Sequence, residues 1–388
     1  MRWSFRIARI AGIDVYMHVT FLLLLGYFAV QYYAPRQSVN DALSGVLFIL
    51  AVFGTVVLHE LGHALAARRY GIETRDITLL PIGGVARLAR IPEEPKQELV
   101  VAVAGPLVNV VIAAALLVVI LATGGFSPLP DLAQDPTGLS WPFAQRMFAV
   151  NVGLVLFNAI PAFPMDGGRV LRAFLAMTMD YAQATNVAAL VGQGIAFLFG
   201  VWGLFGGGLM LVLIALFVWI GAAGEASVAQ MRAAIAGIPV RKAMIVEFAT
   251  LRPTDTLRSM ADHIMDGYQQ DFPVVENEKV VGVLRMTDLL GGLQSAGLDA
   301  PVRDFMRTDF GSAAAGEPLD RALSRLHAGE CPVMPVIDRD RLVGLLTPEN
   351  VGELVMIRDA VRARRRTAPR PVGAPPAAEA VPGAEPRP

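Results

Sequence analysis

His59 and His63 lie four residues apart with Glu60 between them, inside a long apolar run. On a helix that spacing sends both imidazoles off one face, where they can share a zinc ion. The Glu60 carboxylate can then take a proton from zinc-bound water. Upstream, Val46 to Leu58 is almost wholly apolar; downstream, Ala64-Leu65-Ala66-Ala67 leads into Arg68-Arg69. Ionisable groups in a lipid-spanning segment are costly unless they have partners or a function. The expectation is a hydrolytic metal centre within the bilayer.

Two histidines and a glutamate do not complete such a site, because catalytic zinc usually takes three protein ligands plus water. The other histidines are His18, His263 and His327. The last two fall in a soluble part of the chain, and His18, at the start of the first apolar run, is a weaker candidate. Asp166 is the stronger one. It follows Pro161 and Pro164, which end an apolar segment and hold the chain extended. It precedes Gly167-Gly168, where backbones can approach closely. Asp166 could also serve as the N-cap of a helix over Val170–Ala176.

The elements that must position these groups are membrane helices. Hydrophobic residues make up 54% of the 388 residues and charged residues 17%, a balance of a polytopic membrane protein rather than a soluble enzyme. Six apolar segments are expected as spans: Tyr16–Tyr33, Ala42–Ala67, Glu98–Thr123, Phe143–Ile160, Ala184–Trp202 and Gly207–Val228. The last two could instead form one re-entrant hairpin. No cleavable leader is expected, and the first apolar run is read as a retained span. Arg residues in the N-terminus, at 68–96, at Arg169 and Arg172 and after the sixth span place both termini in the cytoplasm. The Gly124–Pro142 loop has no Lys or Arg, and only Arg36 breaks the pattern. His59 then lies about 13 Å from the cytoplasmic end of its helix. Between the second and third spans, Thr74–Leu80 and Val85–Leu88 read as two short strands around Pro81-Ile82-Gly83-Gly84.

Composition changes near Met231, and from Pro239 to Ala360 strands and helices alternate. That part is a tandem repeat. Val240–Met244 matches Val302–Met306, Phe272–Val275 matches Met334–Ile337, and Lys279–Leu284 matches Arg341–Leu346, all at one offset. The single Cys331 excludes a disulfide framework and a Cys-rich metal site. A net charge of −1 gives no ground for a nucleic-acid partner. The expected divisions are a transmembrane domain at 1–228, a linker at 229–239, repeat modules at 240–298 and 299–361, and a disordered Arg/Pro/Ala-rich tail at 362–388.

The membrane half resembles the site-2 protease family of intramembrane zinc metalloproteases. The resemblance rests on His59–Leu65, Gly83–Ala86, Ala104–Asn109 and Asn158–Gly168, with Met165 standing where the family usually has Leu. It implies His59, His63 and Asp166 as ligands of one zinc per chain, with Glu60 as general base. It also implies Gly83 and Gly84 in a strand that pairs with unwound substrate, and Asn109 and Asn158 as active-site support. The repeat resembles a tandem pair of cystathionine-β-synthase-type (CBS) modules, which often bind adenine nucleotides. The usual signature has Thr or Ser three residues before Asp. Here Arg285 precedes Asp288, and Thr347 precedes Asn350, so each site is half-formed. Asp288 and Thr347 are the candidate nucleotide contacts.

The fold expected is therefore a polytopic α-helical membrane protein of about six transmembrane helices with a small β insertion, followed by a soluble α/β tandem CBS module. The function expected is hydrolysis of peptide bonds in membrane-anchored regulators, such as an anti-sigma factor, from a multi-pass position in the plasma membrane. The CBS pair would regulate it or form a homodimer. A CBS-regulated transporter and a catalytically inactive scaffold are the alternatives. The scaffold has no need of Glu60, and the transporter would want ionisable residues on several spans.

Overall fold

The computed structural model describes residues 3–35, 37–81, 83–89, 94–128, 141–206, 208–267, 269–329 and 331–367. Arg36, Arg90, most of the 124–142 loop and the tail from 368 lie outside them. The chain divides into two units, Met1–Gln230 and Met231–Pro388.

The first unit opens with a β-hairpin, β1 (Ser4–Ile10) and β2 (Ile13–His18), then α1 (Thr20–Tyr33) and α2 (Val39–Arg68). There follow β3 (Thr74–Leu80), β4 (Gly83–Leu88), α3 (Pro95–Ala122), α4 (Phe143–Asn158), α5 (Asp166–Leu175), α6 (Tyr181–Gly206) and α7 (Leu209–Ile235). Tyr16–His18, expected as the start of a span, are strand. Buried Ile13 and Val15 alternate there with half-buried Asp14 and Tyr16, a period of two rather than 3.6.

Among the described residues four helices, α2, α3, α6 and α7, are long and apolar enough to cross a membrane. The first and fourth expected segments are shorter, 14 residues in α1 and 16 in α4. At 1.5 Å per residue they reach about 21–24 Å, against a hydrocarbon core of about 30 Å. The last pair is two helices of 26 and 27 residues rather than a re-entrant hairpin. α2 starts where Ser38 Oγ accepts from the Asp41 N–H at 3.2 Å, an N-cap for a 30-residue helix.

The sheet runs β1-β2-β3-β4, with β2 and β3 parallel and the other neighbours antiparallel. Its apolar face lays Ile13, Val15, Ile77 and Leu79 on Val57, Leu61 and Ala64 of α2. The other face carries ion pairs, Arg87 with Asp76 and Arg6 with Asp14. Thus the sheet is clamped to the helix that bears the two histidines. Gly83 and Gly84, between the two strands in the pattern of residues but in a strand by the resemblance, are the first residues of β4, and Gly83 sits at φ +139°, where a side chain would be strained. α3 lies close against α2 because Gly62 faces it; a methyl group at 62 would come 2.7 Å from the Ala104 carbonyl oxygen.

The second unit holds two similar modules. The first has α8 (Leu257–Asp266), β5 (Phe272–Glu276), β6 (Lys279–Leu284) and α9 (Met286–Ser295). The second has β7 (Ala313–Ala314), α10 (Leu319–Ala328), β8 (Met334–Asp338), β9 (Arg341–Leu346) and α11 (Pro348–Thr367). Their lead-in segments are exchanged. Ile245, leading into the first module, exchanges two backbone hydrogen bonds with Leu345 of the second, at 2.8 and 3.0 Å. Arg307, leading into the second, does the same with Val283 of the first, at 2.9 and 2.8 Å. The repeated Met and Gly meet in this exchange: a methyl on Gly344 would press on Met244 Sδ, and one on Gly282 on Met306 Sδ. Residues 229–239, expected as a linker, include the last turns of α7, and Ile235 and Ile238 are buried in the second module's core. α11 continues to Thr367, into the stretch expected as a tail.

Candidate functional site

α2 supplies His59 and His63, one helical turn apart and both buried. Asp166 reaches them from α5. It is the first residue of that helix, and Met165 holds the N-cap position, so Asp166 does not cap it. The segment before it is compact, with Gly168 against the Ala162–Phe163 backbone, where a methyl would come within 2.6 Å. This close fold delivers the Asp166 side chain toward α2.

The three donor atoms converge. His59 Nε2 and His63 Nε2 are each 3.1 Å from Asp166 Oδ2, and 3.0 Å from one another. Neighbouring donors around a tetrahedral zinc stand about 3.3 Å apart, given bonds of about 2.0–2.1 Å. His63 Nδ1 donates to the Val101 carbonyl at 2.7 Å, which leaves a lone pair on its Nε2. Lone pairs and a carboxylate facing each other in a buried space repel unless a cation lies among them. The cluster therefore fits a zinc ion by its spacing and its donor chemistry. Among the described residues it is the group of His, Cys, Asp and Glu side chains that could hold a metal.

Glu60, half-buried beside His59 on α2, accepts a hydrogen bond from the Ala86 N–H at 3.2 Å. β4 is an edge strand of the sheet, and this N–H faces away from β3 toward the helix. Gly84 packs directly on the same glutamate, since a methyl there would lie 2.9 Å from Glu60 Cγ. The general-base candidate and the strand edge thus form one surface. Gly105 of α3 borders the cluster from the other side, with no room for a side chain against the two imidazoles.

Two expected support residues fare differently. Asn109 Oδ1 lies 2.5 Å from His59 Nδ1. Asn158 donates to the Leu154 carbonyl of its own helix at 3.0 Å and makes no bond to the cluster. His18 bonds locally to Thr20 and stays out of the cluster.

Sequence reasoning missed the groups that hold α5 in place. Arg172 donates to Glu98 of α3 through Nε at 2.9 Å, and through Nη1 to Glu225 of α7 at 2.7 Å. Its guanidinium also lies over the Phe163 and Tyr181 rings, at 4.8 and 5.0 Å. Arg172 and Glu98 are both buried, so removing Arg172 would leave the Glu98 carboxylate without its partner, whereas Arg172 also holds Glu225. Single charges within apolar runs were the available signal. Asn151 of α4 was missed as well; Asn109 Nδ2 donates to its Oδ1 at 2.9 Å.

Residues 47–143 and 135–201 match the family model for peptidase family M50, and residues 240–295 and 302–356 each match that for the CBS domain. A zinc metalloprotease of Methanocaldococcus jannaschii is 35% identical over 306 residues, which cover 79% of this chain and 83% of the relative. The chain belongs to peptidase family M50. A solved site-2 protease from Methanocaldococcus jannaschii is 36% identical, covers 58% of this chain and 95% of its own, and aligns with a TM-score of 0.42. Stage IV sporulation protein FB of Bacillus subtilis is 26% identical over 158 residues, 40% of this chain and 50% of that one. This M50 peptidase is a multi-pass membrane zinc metalloprotease with a C-terminal CBS pair.

In the CBS unit of the M50 peptidase, both candidate nucleotide contacts are engaged internally. Arg285 grips Asp288 with two bonds, at 2.7 and 2.8 Å, and Arg307 Nε stands 3.4 Å away. The Arg285 guanidinium, helped by Arg307, holds the Asp288 carboxyl below the usual carboxylate range. The Thr347 hydroxyl donates to Asn350 Oδ1 at 2.6 Å and accepts from the Asn350 N–H at 3.3 Å. The residue at the hydroxyl position thus binds its own signature partner in each module.

Proposed function

We propose that the protein cuts peptide bonds within or beside the transmembrane segment of a single-span, membrane-anchored regulatory protein. In this reading His59, His63 and Asp166 hold the zinc and Glu60 is the general base. The observation that carries it is the position of Glu60: next to a metal ligand on α2 and hydrogen-bonded to the edge of β4.

Bound zinc lowers the pKa of its water and polarises the scissile carbonyl. The rest falls to the chain. Glu60 takes the proton of the attacking water on its carboxylate and passes it to the leaving nitrogen. A substrate helix has its backbone groups satisfied internally, so it must unwind before it reacts. The outer edge of β4, from Gly83 and Gly84 to Ala86, offers the freed backbone a strand to pair with. The sheet packed on α2 keeps that edge at the level of the base.

The basic residues support a plasma-membrane protein with both termini and the CBS pair in the cytoplasm. The CBS pair serves as a regulatory or homodimerising module. Adenine nucleotide binding there would require Asp288 to leave Arg285 and Thr347 to leave Asn350.

The test is to reconstitute the full chain with a single-span substrate in lipid vesicles and map the cut by mass spectrometry. The expected product ends within or within a few residues of the span. Cuts confined to the substrate's soluble tail, or no cut in zinc-loaded protein, would overturn the reading.

A further inference from the structure

His59 can bind zinc through Nε2 only if its proton sits on Nδ1, and a neutral imidazole is free to place it on either nitrogen. Its Nδ1 partner, Asn109, does not settle the matter alone. A carboxamide turned over presents NH₂ in place of oxygen with almost no change of shape. Facing that NH₂, His59 Nδ1 would have to accept, and its proton would move to Nε2, the atom aimed at Asp166 and His63.

Three consecutive hydrogen bonds fix the direction. Asn151 Nδ2 lies 2.8 Å from the Met147 carbonyl oxygen, which can only accept. Asn151 therefore turns its Oδ1 toward Asn109, and that oxygen can only accept from Asn109 Nδ2, 2.9 Å away. Asn109 must then show Oδ1 to His59, 2.5 Å from Nδ1, and Nδ1 must be the donor. Asn109 and Asn151 are both fully buried, so no solvent can replace a link. His63 needs no such chain, because a backbone carbonyl holds its Nδ1 directly.

We propose that Asn151 is a positioning residue for the zinc site: anchored on the Met147 carbonyl, it sets the amide of Asn109 and through it the tautomer of His59. The hydrogen bonds of Asn151 go to Asn109 and to the Met147 carbonyl, not to the metal-ligand candidates. It works from α4, through α3, on a ligand of α2. A buried asparagine that merely joined α4 to α3 would give the helices cohesion without directing a proton.

The test measures zinc affinity by chelator competition on the full chain in detergent. Four proteins are compared: wild type, Asn151→Leu, Asn151→Asp and Asn109→Leu, with the Asn109→Leu/Asn151→Leu double variant beside them. Asn151→Leu is expected to weaken zinc binding by about 10–100-fold. Asn151→Asp, neutral in this apolar site, can still donate to Met147 and accept from Asn109, and should stay within a few-fold of wild type. In the Asn109→Leu background the relay is already cut, so Asn151→Leu should add nothing. A loss equally large in that background, a failure of Asp to rescue, or unchanged affinity in Asn151→Leu would each overturn the proposal. Nitrogen NMR of zinc-free wild type tests it without any variant: His59 Nδ1 is expected to carry a proton whatever the state of Nε2, and an unprotonated Nδ1 contradicts it. Since all this rests on zinc binding at His59, a wild type that binds no zinc would instead fail that underlying reading.

Discussion

Glu60→Gln should lower peptide-bond cleavage by about 10²–10⁴-fold, the usual contribution of a positioned general base, with zinc content unchanged. The substitution is close to isosteric. A glutamine oxygen can still accept from the Ala86 N–H, so the packing of α2 beneath β4 is kept. What disappears is the ability to take a proton from water and return it to the leaving nitrogen. Glu60 is also outside the three-atom cluster, so metal retention is expected. The measurement pairs an initial rate of substrate cleavage with metal analysis of the same preparation. Normal cleavage by zinc-loaded Glu60→Gln would place the base elsewhere, and loss of zinc would make Glu60 part of the metal shell.

Gly105→Ala should empty the metal site although it lies in a helix and adds only one methyl group. The added carbon would fall on His63 Nε2 and stand 2.7 Å from His59 Nε2. Both nitrogens are the ones that would hold the zinc. In an ordinary helix position the same change stabilises by about 1 kcal/mol, so poor helix formation cannot account for a loss. Either α3 backs away, which disturbs the Asn109 and Val101 bonds to the histidines, or the imidazoles turn out of line. Zinc per chain should fall below about a tenth of the wild-type value, from a ligand set whose geometry tolerates little displacement. Circular dichroism should show helix content unchanged. Wild-type zinc content in Gly105→Ala would mean that the approach of α3 to the cluster is looser than described.

The legible parts of this protein are those whose chemistry is local in sequence. His59, Glu60 and His63 declare themselves by helical spacing in an apolar run, and Asp166 by the prolines and glycines around it. β3 and the repeated modules follow from period-two patterns and from a constant offset. What escaped depends on pairings over distance. Asn109 and Asn151 are 42 residues apart. Arg172 is 74 residues from Glu98 and 53 from Glu225. Arg172 invited another explanation, since a basic residue after a span also reads as a topology signal. The β1–β2 hairpin was hidden for a different reason: its second strand runs into the apolar residues of α1, and a hydropathy window merges the two. Asn158 drew attention through a motif, yet its hydrogen bond stays in its own helix. In the CBS unit the sequence displayed two incomplete signatures, and only the structure reveals that Arg285 occupies Asp288 from within the same motif.

The most direct test of the central claim is the zinc content of the purified full chain, with Asp166→Ala measured beside wild type. One zinc per wild-type chain, and its loss from Asp166→Ala under the same competing chelator, is the predicted result. A wild type that remains zinc-free when zinc is supplied, or an Asp166→Ala variant that holds it as tightly, would contradict a metal centre built from α2 and α5.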